Sequence, residues 1–198
     1  MSIIPLAFNT KLYTCSAYLI TSDHDLSGKY NTLIDIGSDD YISKEIIAIT
    51  ANKYQQPVGQ VILTHDHSDH SGGLAGIIKE FNPQIYAYTN IPGVSRTLKE
   101  GELIQAGENI FQVLHTPGHS VDSICLYSDA TGDLFVGDIP LKDVPGDSAY
   151  PYGLLTSLEK LCRLEIKTIY PGHGRPLSSG CMELLQQNLA NVKSSRLY

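Results

Sequence analysis

Apolar positions in the first half of the chain alternate between short continuous runs and helical spacing. Lys11–Thr21 and Thr32–Ile36 read as strands on either side of a polar loop at Ser22–Lys29. Ile42, Ile46 and Ile49 then mark one face of a helix over Ser43–Gln56, which Pro57 stops. Gln60–Leu63 is a short apolar strand, and Leu74, Ile77, Ile78 and Phe81 recur at i, i+3, i+4 and i+7, one face of a second helix. Strand-like runs follow at Gln84–Tyr88, Ile110–Leu114, Ser123–Tyr127 and Leu134–Val136. Thr156-Ser157-Leu158-Glu159 has capping-box spacing and predicts the opening of a helix that buries Leu158, Leu161 and Cys162. Lys167–Tyr170 is the last strand, and Met182, Leu185, Leu189 and Val192 line a closing helix. Hairpin-like and crossover-like connections together suit an α/β (α+β) chain, with helices outside two sheets or one mixed sheet.

Length and composition narrow the class. With 198 residues, 42% apolar and 18% charged, the chain suits one globular domain over 1–198, and nothing marks a boundary or a repeat. The charge of -7, from 14 Lys+Arg against 21 Asp+Glu, disfavours nucleic acid as a partner, because phosphate contacts need clustered cations. No apolar run approaches the roughly 20 residues that span a bilayer. Met1–Ile20 lack the basic start and apolar stretch of a signal peptide, so the expected location is cytoplasmic. Cys15, Cys125, Cys162 and Cys181 are scattered in apolar surroundings and read as small buried hydrophobes.

Histidine is distributed differently. Three of the seven fall in His65-Asp66-His67-Ser68-Asp69-His70, directly after a strand and before Ser71-Gly72-Gly73. Packing does not call for three histidines and two aspartates in six residues, whereas metal ligation does. The spacing turns His65 and His67 toward one point and offers Asp69 and His70 to another nearby. Imidazole with carboxylate suits zinc first, with iron or manganese as alternatives. His119 in Thr116-Pro117-Gly118-His119, Asp138 in Val136-Gly137-Asp138 and His173 in Pro171-Gly172-His173 each follow an apolar strand and a turn. With the first loop they make seven candidate ligands, enough for two divalent metal ions.

That series, in that order, resembles the metallo-β-lactamase superfamily of metallohydrolases over about Asp35–Gly174, and within it glyoxalase II (hydroxyacylglutathione hydrolase) and its short relatives. The resemblance implies a four-layer αββα sandwich with the metals at one edge between the sheets. It implies that His65, His67 and His119 hold one metal, that Asp69, His70 and His173 hold the other, and that Asp138 bridges both. The implied reaction is hydrolysis of a small ester or thioester by a hydroxide shared between metals about 3.5–4 Å apart. Asp66 has no metal role in the family and is assigned a hydrogen bond or the protonation of product. Asp35 matches a family aspartate behind the ligands, where burial between Ile34 and Ile36 calls for an imidazole N–H partner. His115 is expected in the core or behind the ligands, and His24 in solvent.

Only Arg175–Tyr198 follow the last ligand, too little for the helical domain that holds glutathione in full-length glyoxalase II, so the substrate stays open. The Pro-, Gly- and Tyr-rich stretch between Asp138 and Thr156 is expected at the substrate entrance, with Lys142, Tyr150 and Tyr152 as contacts to a small-molecule substrate. The alternative with the same ligands is a persulfide dioxygenase holding one iron on His65, His119 and Asp138. Quorum-signal lactonases place a tyrosine shortly after the bridging aspartate, where this chain has Ile139-Pro140-Leu141, which lowers that option. β-Lactamases, nuclease branches and a non-catalytic binding module fit less well: no ligand is missing, and the surface is acidic. Oligomeric state is not legible.

Overall fold

The computed structural model describes residues 1–6, 14–24, 27–51, 57–141 and 148–198. The first half builds one sheet and its helices: β1 (Ser2–Pro5), β2 (Tyr18–Thr21), β3 (Thr32–Ile34), α1 (Tyr41–Thr50), β4 (Gln60–Ile62), α2 (Ser68–Ser71), α3 (Leu74–Phe81), β5 (Gln84–Ala87) and β6 (Arg96–Thr97). The second half builds the other: β7 (Leu103–Ala106), β8 (Asn109–His115), β9 (Ile124–Ser128), β10 (Asp133–Gly137), β11 (Ala149–Tyr150), α4 (Tyr152–Leu161), β12 (Thr168–Pro171), α5 (Cys181–Ser194) and β13 (Arg196–Leu197). Strand order is β1-β2-β3-β4-β5-β6 in the first sheet and β12-β10-β9-β8-β7 in the second, with a two-stranded β11-β13 pair beside them.

Alternation along each strand decides the layers. Tyr18, Ile20, Ile34 and Ile62 from the first sheet meet Phe111, Val113, Ile124, Leu126 and Phe135 from the second in a core between the sheets. The intervening positions Leu19, Leu33, Val61 and Leu63 face away, toward Ile42, Ile46, Leu74 and Ile77 of α1 and α3. Leu114, Cys125, Leu134, Val136 and Ile169 likewise face Leu154, Leu158, Leu161, Leu185 and Val192 of α4 and α5. The result is the expected four layers, helix–sheet–sheet–helix. Burial on both faces explains why the central strands read as unbroken apolar runs. Each large side chain in the inter-sheet core contributes about 1.5–3 kcal/mol by leaving water.

Strand direction places the chemistry. β3, β4, β5 and β6 run parallel in the first sheet, and in the second β8 and β10 are both antiparallel to β9 while β12 is parallel to β10. The C-terminal ends of β3 and β4 and of β8, β10 and β12 therefore lie along one edge of each sheet, and cross-sheet hydrogen bonds from Ile124 N to Thr64 O (2.9 Å) and from Tyr18 Oη to Pro171 O (2.8 Å) bring those edges together.

Several boundaries differ from expectation. The capping-box reading fails: α4 starts at Tyr152, Thr156 lies inside it, and its hydroxyl donates back to Gly153 O at 2.9 Å. Pro151, with φ near the value its ring imposes, sets the start, and Tyr152 N donates to Tyr198 O at 3.0 Å. Helix α1 begins at Tyr41, whose N–H bonds to Asp39 Oδ1 at 2.9 Å, and residues 52–56 of the expected helix lie outside the described residues. The first expected strand pairs only from Tyr18 onward, and residues 11–13 are outside the description. Strands β1, β6, β7, β11 and β13 were not expected; β6, β11 and β13 have two residues each, too few to register a period. Cys15, Cys125 and Cys181 are buried and Cys162 partly so, all four as free thiols. Among the described residues, no helix is long and apolar enough to cross a membrane.

Candidate metal centre

Every expected ligand stands just beyond one of those converging strand ends. His65 follows β4, Asp138 follows β10, His173 follows β12, and His119 sits in the loop after β8. The loop after β4 closes into the short helix α2, where His67 as its N-cap residue accepts from His70 N (2.9 Å) and Ser71 N (3.0 Å) through its carbonyl. That turn folds Asp69 and His70 inward and leaves His67 at the rim.

Two donor groups result. One ring nitrogen from each of His65, His67 and His119 lies within 4.8 Å of the others, and the same holds for one atom each of Asp69, His70, Asp138 and His173. In the first group His119 Nε2 stands 2.9 Å from His67 Nδ1, and the rings of His65 and His119 are 4.9 Å apart, edge to face. In the second, His173 Nε2 stands 3.1 Å from Asp69 Oδ2 and 3.3 Å from Asp138 Oδ2. Asp138 reaches both groups, with Oδ2 also 3.5 Å from His119 Nε2 and Oδ1 3.2 Å from His70 Nε2. A Cβ on Gly172 would run into Asp138 Oδ1 and stand 2.7 Å from His70 Cε1, so only glycine lets the backbone pass this close beneath the carboxylate.

A cation fits here on the bonding balance. His65 Nε2, Asp69 Oδ2, His70 Nε2 and Asp138 Oδ1 are buried and make no hydrogen bond. Four such atoms, one in the first donor group and three in the second, are costly to bury unless something electropositive meets them. Their types, imidazole nitrogen and carboxylate oxygen, suit a divalent transition metal.

Charges are shifted accordingly. Burial pushes the His65 imidazole down to about 4, helped by the positive charge of His70, and burial also lowers His119. For His70 burial works the other way from the outcome: the charges of Asp35 and Asp138 outweigh it and hold the imidazole well above its ordinary range. Asp138, despite burial, is pulled down to about 2 by His70. Without a cation, then, a proton on His70 occupies part of the space a cation would neutralise. Because the folded value for His70 is raised, its contribution to stability is complete below about pH 6.5, the ordinary imidazole value, and fades as pH rises above it. A cation must displace that proton, so its affinity grows with pH. The expected result is a gap in melting temperature between zinc-loaded and EDTA-treated protein that widens from about pH 6.5 to about pH 9. Differential scanning fluorimetry measures it, and a gap that narrows would contradict the assignment.

The remaining expected residues divide. Asp35 behaves as anticipated: buried, with φ of 55°, it accepts from His70 Nδ1–H at 2.8 Å. Asp66 is exposed and its carboxylate joins neither donor group; Ser71 Oγ donates to its backbone carbonyl at 2.9 Å. His24 is exposed as expected. His115 is half-buried rather than core, stacked on Tyr88 with ring centroids 4.1 Å apart, and its Nε2 pairs with Val121 O at 2.8 Å. Tyr150 is half-buried against the α4/α5 layer and Tyr152 is 61% exposed. Neither joins the donor groups, although Tyr152 adjoins Gly153, whose Cβ would stand 3.0 Å from Pro117 O at the start of the His119 turn. Lys142 lies outside the described residues.

Three supports carry no sequence signal. Ser16 clamps the His173 turn, donating from N to Gly172 O (2.6 Å) and from Oγ to Gly174 O (2.8 Å), while Cys15 N donates to Asp69 O (3.1 Å). Buried Asp122 accepts from Ser120 Oγ (2.7 Å) and Thr89 Oγ1 (3.3 Å), which pins the His119 loop. Thr64 bonds to Asp35 and His65. A serine or threonine in an apolar strand is common, and only the folded neighbours distinguish these.

Comparison with known proteins follows the same lines. Residues 10–173 match the family model described as metallo-beta-lactamase superfamily. A probable hydroxyacylglutathione hydrolase of Schizosaccharomyces pombe is 34% identical over 125 residues, covering 62% of this chain and 47% of that protein. A hydroxyacylglutathione hydrolase of Polaromonas sp. is 34% identical over 146 residues, covering 68% of this chain and 55% of that protein. The chain thus spans about half the length of these relatives. The crystal structure of ETHE1 from Myxococcus xanthus superposes with a TM-score of 0.75 at 23% identity, over 98% of this chain and 85% of that chain. With the family model matching residues 10–173, the chain belongs to the metallo-beta-lactamase superfamily.

Proposed function

We propose that this protein is a metal-dependent hydrolase that cleaves a small ester or thioester, with a centre like that of glyoxalase II. The observation that carries the reading is the position of Asp138, whose two oxygens lie within 3.5 Å of nitrogens from both donor groups. His65, His67 and His119 would hold one divalent cation and Asp69, His70 and His173 a second, with Asp138 placed to serve both and zinc the first choice. Two cations at such a centre supply an acidified water and an electrophile for the scissile carbonyl. The chain's own residues do the rest. Asp35 and Thr64 hold imidazoles in position, Asp66 exchanges a proton with product at the exposed rim, and exposed Tyr152 contacts a small-molecule substrate. Relatives named as hydroxyacylglutathione hydrolases support the thioester class. The net charge of -7 supports a small-molecule substrate rather than nucleic acid.

The test combines metal analysis of the purified protein with a substrate panel. Two metal equivalents per chain are expected, with hydrolysis of S-lactoylglutathione or a generic thioester that EDTA removes and zinc restores. Replacing Tyr152 with alanine is expected to change substrate preference and leave metal content unaltered. One iron per chain, with oxygen uptake on glutathione persulfide and no hydrolysis, would replace this reading with the dioxygenase.

A further inference from the structure

The two donor groups are joined behind the ligands by a single hydroxyl. Thr64 ends the strand-like run before His65 and is 1% exposed. Its backbone N–H donates to Asp35 Oδ1 at 2.8 Å and its hydroxyl donates to Asp35 Oδ2 at 2.8 Å. The same oxygen lies 3.1 Å from His65 Nδ1. Asp35 Oδ2 also accepts from His70 Nδ1–H at 2.8 Å. The run is therefore His65, Thr64, Asp35, His70, with His65 from one donor group and His70 from the other.

Proton counting gives this run a direction. A hydroxyl has one proton to donate and two lone pairs. Donation to a carboxylate is the stronger bond, so the Thr64 proton goes to Asp35. The Thr64 oxygen is then left only acceptor capacity toward His65, which must carry its proton on Nδ1. That tautomer leaves His65 Nε2 bare, and Nε2 is the buried atom without a hydrogen-bond partner that faces the centre. At the other end, Asp35 holds His70 by Nδ1 and so turns His70 Nε2 toward Asp138, 3.2 Å away.

We propose that Thr64 is a positioning residue that presets both donor groups at once, fixing the His65 tautomer directly and the His70 ring through Asp35. The proposal rests on the cation reading of the centre, but its first readout does not. In cation-free protein near pH 7, two-bond ¹H–¹⁵N spectra report which ring nitrogen of His65 carries a proton. Wild type is expected to show His65 as a single Nδ1–H tautomer. Thr64→Val keeps the branched shape, which packs where a Cβ on Gly137 would stand 2.9 Å from Thr64 Cβ, and deletes the hydroxyl; it is expected to give mixed tautomers. Thr64→Ser keeps the hydroxyl and is expected to restore the single form.

The second readout is cobalt(II) titration of EDTA-stripped protein, followed by absorption and calorimetry. Loss of a partner behind a ligand weakens metal binding by roughly 10–100-fold. Thr64→Val is expected to show that loss at both binding steps and Thr64→Ser to stay close to wild type. If the valine variant does not fold, Thr64→Ala against Thr64→Ser gives the same comparison. An unchanged His65 tautomer with cobalt affinity within about twofold of wild type would overturn the proposal. So would an equal loss in the serine variant, since the methyl rather than the hydroxyl would then be responsible. If wild type itself binds no cobalt, the cation reading falls, and the tautomer comparison still decides whether Thr64 sets His65.

Discussion

If the proposed function holds, replacing Asp138 with alanine is expected to lower hydrolysis by about 10²–10³-fold, the scale on which one electrostatic stabiliser of a transition state is felt, and to reduce the metal content from two equivalents toward one. Both effects follow from one geometry. Asp138 pairs with His173 of the second donor group and with His119 of the first, so its loss removes negative charge between two would-be cations and lets them repel. It also removes one of the three carboxylates that pair with His70, leaving Asp35 and the more distant Asp69. Steady-state kinetics with metal analysis measures the pair of losses, and circular dichroism checks that the fold survives. Activity retained with two metals bound would show that the carboxylate does not span the groups, and the proposed function would lose its supporting observation.

Asp35→Asn is the second large effect, and it is on stability. The substitution keeps the side-chain size, and asparagine tolerates the positive φ of 55° as well as aspartate does, so backbone strain is held constant. What changes is the pairing. A buried carboxylate that accepts from Thr64 N, Thr64 Oγ1 and His70 Nδ1 becomes an amide whose NH₂ must face at least one of those donors. Removing one side of a buried charged pair costs about 3–5 kcal/mol, which for a chain of this length lowers the melting temperature by roughly 6–20 °C. Urea unfolding of cation-free protein is the measurement, because bound metal would add its own stabilisation. A loss below about 1 kcal/mol, the worth of an ordinary hydrogen bond, would mean that Asp35 merely fills space.

The candidate ligands were legible because their residue types are out of place. Imidazole and carboxylate crowd into His65–His70, and His119, Asp138 and His173 each follow an apolar run that had to be a strand, so a strand end had to present them. Layering was legible for a related reason: Tyr18, Leu19 and Ile20 can all be buried only on a strand covered on both faces. The start of α4 was misread because Thr156 and Glu159 carry a local signal that a tertiary contact overrides. Ser157 Oγ donates to Pro117 O at 2.8 Å, and Glu159 pairs with Lys193 at 2.9 Å.

By itself, then, the order of residue types determined which elements form, which faces they bury and which seven side chains are chemically suited to a cation. Those are properties of periodicity and of functional groups, and both are local. The tertiary structure alone decided that Asp138 reaches both donor groups, that Ser16 grips the turn carrying His173 across 158 residues of sequence, and that Thr64 connects His65 to His70 through Asp35. Such contacts depend on angstrom-scale distances between strand ends in two different sheets. No single segment carries that information, because it arises only when the inter-sheet core packs and brings the two edges together.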